Sequence, residues 1–128
     1  LSPGVNDPYT AIACLDNLTS TMAYLAQANF PSKYRYDEEE NLRVIADVLG
    51  FEGVLDAAFN QIRQFSEGST AVIIRLMEAM ITIYGLTSSG NHKNAVIKHA
   101  RMILNLGKRT IQEDNDLQDL EDRARKIL

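Results

Sequence analysis

The chain has 128 residues, 45% of them hydrophobic and 23% charged, which is ordinary for one globular domain. Its net charge of -4 and pI of about 5.1 argue against nucleic acid as the main partner, because phosphate binding needs a net basic face. The single cysteine, Cys14, excludes an intrachain disulfide and points to a reducing compartment. No signal peptide or membrane span is visible. The start at Leu1, without an initiator methionine, leads us to expect a piece of a longer protein.

In chain order, Ser2 to Asp7 form a turn-rich lead-in, and Asn6 or Asp7 is placed to cap a helix whose first residue is Pro8. Helix one is predicted to about residue 28, with Ile12, Leu15, Leu18, Met22 and Leu25 as its buried stripe. Pro31 ends it. Residues 33–36 alternate, residues 37–41 form an acidic turn, and residues 42–46 read as a returning strand, so a short β-hairpin is expected over about 33–46. Helix two is predicted over roughly 51–66 on the spacing of Phe51, Leu55, Ala58, Ile62 and Phe65.

Residues 70–87 are the centre of the expected fold. They are apolar on nearly every side, and only Arg75, Glu78 and Thr82 break the pattern, on one narrow stripe. The run is shorter than the roughly 20 apolar residues of a membrane span and carries two charges, so it reads as the central helix of a soluble bundle. Helix four is predicted from about 92 to 111. Val96, Ala100, Ile103, Gly107 and Ile111 form its apolar stripe, and Lys98, Arg101, Asn105, Lys108 and Gln112 its polar one. Helix five is predicted over roughly 116–128, acidic at its start and basic at its end, as suits a helix dipole. The expectation is a single mainly α domain over 1–128, a five-helix bundle with one hairpin after the first helix.

The opening Leu1-Ser2-Pro3-Gly4-Val5-Asn6-Asp7-Pro8-Tyr9-Thr10-Ala11 resembles the signature of a bacterial family of predicted integral membrane proteins, known as domain of unknown function 2254. The similarity continues through Cys14-Leu15-Asp16, Tyr34-Arg35-Tyr36-Asp37, Leu42-Arg43-Val44-Ile45, Phe51-Glu52, residues 55–64 and Arg75 to Ala79. It departs at Glu40-Asn41, where the family usually has glycine, and at Gly50, where it has Ser or Thr. The resemblance implies a cell-membrane parent with spans before Leu1 and this domain as its soluble C-terminal part on the cytoplasmic side. The membrane-spanning part of the same chain is then a partner. It implies no activity.

Three polar groups are candidate ligand sites. Asn6, Asp7 and Thr10 stand at a helix N-terminus, where free N–H groups favour anions, although a capping Asp would occupy those donors. Tyr34, Arg35 and Tyr36 would form a hydrogen-bonding rim, or pack across the hairpin. Arg75 and Glu78 would pair with each other or with Arg63 or Asp56 of helix two, either as a structural pair or as the polar floor of a pocket. His99 reads as a core or boundary residue, and Cys14 as a small buried hydrophobe. His92 and His99 lack the neighbours of a zinc site, and no phosphate loop, dinucleotide fingerprint or nucleophile elbow occurs, so no metal, cofactor or catalytic residue is assigned.

No acid occurs between Ala79 and Gln112. Lys98, Arg101 and Lys108, with Lys93 and Arg109, could therefore meet an anionic inner leaflet, or else pair with the start of helix five or with Asp37 to Glu40. Met102, Leu104 and Leu106 lie off the main stripe, so homo-oligomerisation through helices four and five is expected if helix five leaves them uncovered. The sequence favours a non-enzymatic cytosolic interaction or regulatory domain of a membrane protein. The alternative is a small-ligand-sensing or enzymatic domain, with a pocket between the lead-in, helix one and helix three.

Overall fold

Apolar side chains repeating every three to four residues close into five α-helices in a computed structural model that describes residues 8–27 and 39–128, with 39–49 as backbone only. The helices are α1 (Pro8–Gln27), α2 (Glu39–Phe65), α3 (Thr70–Leu86), α4 (Gly90–Thr110) and α5 (Asp114–Ala124). The mainly α expectation holds. The expected lead-in, the first hairpin strand and its rim of Tyr34, Arg35 and Tyr36 lie outside the described residues.

The β-hairpin is the correction. Its returning strand, residues 42–46, is the second turn of α2, and there is no strand among the described residues. Five residues of alternation are too few to separate the two periods. Read over a longer window, Leu42, Ile45, Ala46 and Leu49 recur at helical spacing.

Gly50 divides α2. Its φ of 72° and ψ of 167° lie in a region essentially reserved for glycine, and a second helical segment begins at Phe51. No atom lies within 4 Å of where a Cβ would stand, so a side chain here would be opposed by the backbone alone. Gly50→Ala is expected to cost about 1–3 kcal/mol in urea unfolding. An unchanged midpoint would show that the kink is not required.

α3 is the central helix. It buries Val72, Ile73, Leu76, Met77, Ala79, Met80 and Ile83, and packs against α1, α4 and α5. α2 packs on α1 and α4, bringing the fully buried Leu55 and Phe59 into the same core. α1 contributes Leu15, Met22 and Leu25. Cys14 is exposed, one position off that stripe, rather than the buried hydrophobe expected. α4 and its C-cap Ile111 bury the whole predicted apolar stripe, together with His99 and Leu106.

The helix starts differ in their caps. Ser89 accepts from the His92 amide and Glu113 from the Asn115 amide, whereas Ser69 holds the cap position of α3 without a side-chain bond. Asp114 and Asp116 in the first turn of α5, with Arg123 in its last, complement the helix dipole.

Candidate functional site

The polar stripe of α3 faces outward and becomes a chain of ion pairs. Arg75 donates from Nε and Nη2 to both carboxylate oxygens of Asp16 on α1, at 2.9 and 2.8 Å. Glu78, one turn on, lies 3.8 Å from Arg75 and accepts from Arg123 Nε of α5 at 3.2 Å. Asp16, Arg75, Glu78 and Arg123 thus link α1, α3 and α5 across one face. The bidentate guanidinium holds the Asp16 carboxyl below its ordinary pKa, and Asp16 raises that of Arg75 in return. Both partners are about half exposed, so the pair fixes geometry more than it stabilises.

Beside this ladder lies a shallow open groove of about 360 Å³, lined by Asp16, Thr19, Arg75, Glu78, Ala79 and Thr82. It can offer a ligand carboxylates, a guanidinium and hydroxyls on a small apolar floor. The guanidinium is already engaged by Asp16, so an incoming anion has to compete with a carboxylate for it.

A second polar cluster occupies the α2–α4 seam. His99 is fully buried, and its Nε2 lies 2.6 Å from Asp56 Oδ1. An ionised carboxylate only accepts, so the ring proton belongs on Nε2 and donates to Asp56. Nδ1 is buried without a partner. Burial pushes the His99 pKa down, Asp56 opposes this, and Arg63 and Lys98 reinforce it. Lys98 reaches Glu52 at 3.3 Å and lies 4.0 Å from Asp56. Arg63 points its Nη1 at Met102 Sδ, 3.8 Å away. At the head of the seam His92 stacks on Phe51 with ring centroids 4.2 Å apart, and burial lowers its pKa as well.

The structure therefore separates the residues singled out from sequence. Arg75 and Glu78 do pair, but their further partners are Asp16 and Arg123, not Arg63 or Asp56. Arg63 belongs to the other cluster. Thr10 is exposed in the first turns of α1, and Asn6 and Asp7 lie outside the described residues. Arg123 and the Asp56–His99 pair escaped sequence reading, because their partners stand 45 and 43 residues away and no local spacing links them. Among the described residues no three His, Cys, Asp or Glu side chains converge as a metal site needs.

A family model described as a predicted membrane protein, DUF2254, matches residues 1–82. The chain belongs to this family. The match covers Asp16, Arg75, Glu78 and Asp56, whereas His99, Arg123 and the whole of α4 lie beyond it. An uncharacterized protein of Mycobacterium tuberculosis and one of Mycobacterium bovis are each 24% identical over 116 residues, 91% of this chain. The chain spans 22% of the length of these relatives. No solved structure matches it. No helix among the described residues of this DUF2254 member is long and apolar enough to cross a membrane.

Proposed function

We propose that this chain is a non-enzymatic interaction or regulatory domain of a membrane protein, set on its cytoplasmic side and working against the membrane-spanning remainder of the same parent. The observation that carries this reading is the ladder from Asp16 through Arg75 and Glu78 to Arg123. Its charges are spent on joining three helices, and an exposed ladder is the kind of coupling that a docking partner can open by competing for one member. Membership of a family of predicted membrane proteins supplies the setting. The test is co-purification in detergent of this chain with the separately expressed remainder of its parent. Capture is expected, and Arg75→Asp should weaken it at least tenfold. Absence of capture from a folded domain overturns the reading.

The second reading is a small-ligand-sensing or enzymatic domain. The groove supports it by lying between α1 and α3, two of the three elements between which such a pocket is expected, the third being the lead-in. A thermal-shift screen against metabolites, nucleotides and metals separates the two. A ligand at a hundred times its Kd adds about 2.7 kcal/mol. A midpoint shift that Arg75→Ala abolishes would replace the interaction reading with a sensing one.

A further inference from the structure

The outward face of α4 carries a charged surface that neither cluster uses. Asn94, Arg101, Asn105, Lys108 and Arg109 are exposed along it. Arg101 and Lys108 are seven residues apart, so they share one face and stand about 10 Å apart along the axis. Neither they nor Arg109 makes an ion pair among the described residues, in contrast to Lys98, which is held by Glu52. The expected pairing with the acidic start of α5 is not seen among the described residues, and the alternative partners, the side chains of Asp37 to Glu40, lie outside them. Glu113 caps its own helix, Asp122 is taken by Gln118 and Arg125, and Arg123 reaches Glu78 instead. α5 meets α4 on the opposite side, with Leu120 over Gly107. Local order thus leaves three cations and two amides on one side of a helix, in a chain whose net charge is -4.

We propose that this face of α4 lies against an anionic phospholipid bilayer, with Arg101, Lys108 and Arg109 on headgroup phosphates and Asn105 donating between them. The inference rests on the membrane-protein setting proposed above. Charge complementarity selects the occupant. A rigid stripe of cations without apolar anchors suits a plane of negative charge, and the protein's net negative charge disfavours a long polyanion wrapped around it. Each cation near such a surface is worth about a fivefold gain in partitioning, so three give on the order of a hundredfold.

The test is flotation of the 128-residue chain with vesicles of phosphatidylcholine alone or with about one-third phosphatidylglycerol, at low salt and at about 0.5 M salt. Binding is expected only to the anionic vesicles and only at low salt. Arg101→Glu with Lys108→Glu should reduce it at least tenfold. Lys126→Glu, at the exposed C-terminal end, makes the same kind of charge change away from the stripe and should reduce it by much less. No binding by the folded chain, equal loss in Lys126→Glu, or tighter binding to RNA than to the anionic vesicles overturns the proposal. Flotation contains no partner chain and the detergent co-purification contains no bilayer, so either proposal can fail without the other.

Discussion

Gly107→Ala is expected to destabilise the bundle by about 1–3 kcal/mol, although alanine is the better helix former by about 1 kcal/mol. Gly107 is buried on α4, and a Cβ there would overlap Leu120 Cδ2 and stand 3.3 Å from Ile111 Cδ1. Leu120 is itself fully buried, so its methyl can turn away only into other core atoms. Leu120→Ala alone should cost about 2–5 kcal/mol through the cavity it leaves. Combined, the two changes are expected to cost less than their sum, because the truncated Leu120 vacates the space that the new methyl needs. In the Leu120→Ala background Gly107→Ala should become neutral or stabilising. Urea unfolding of the four proteins measures this, and additivity within about 0.5 kcal/mol would show that the approach of α5 to Gly107 is not tight.

Stability is expected to fall as the pH drops from about 7 to about 5, with His99 as the principal cause. Burial lowers the His99 pKa in the folded protein, so the fold prefers the neutral ring and binds fewer protons than the unfolded chain below about 6.5. Its contribution is therefore complete above the unfolded value and is lost as the pH falls from there toward the depressed folded value. The geometry supplies the reason. Protonation would put a hydrogen on Nδ1, which is buried without an acceptor, and a charge beside Arg63 and Lys98, with only Asp56 to oppose it. His92, also depressed by burial, acts in the same direction. His99→Leu should flatten most of the slope, and Asp56→Ala should cost about 1–3 kcal/mol at neutral pH by leaving the ring with no partner. A wild-type slope that persists in His99→Leu would assign the titration elsewhere.

Both predictions concern contacts across the chain, which is where reading from sequence stops. The stripes of α1, α3 and α4 were legible because a helix with one wet face must repeat its apolar residues at three and four. The outward stripe of Arg75, Glu78 and Thr82 was legible for the same reason. The family signature in residues 1–11 was legible as a string, independent of any packing. The hairpin failed because five residues fit both periods and because Gly50, a true break, lies just beyond them and made the segment after it look like the whole of the second helix.

By itself, then, the sequence determined the periodicity, hence the helices of the core, the side of α4 that would carry cations, and membership of a family of predicted membrane proteins. Only the tertiary structure decided who meets whom. It gave Arg75 to Asp16 rather than to α2, Glu78 to Arg123 and His99 to Asp56, and left Arg101 and Lys108 without an ion pair among the described residues. Periodicity fixes which face of a helix is polar, but the partner on that face depends on how neighbouring helices are ordered and crossed. That is set by the summed packing of the core, and no local spacing encodes it.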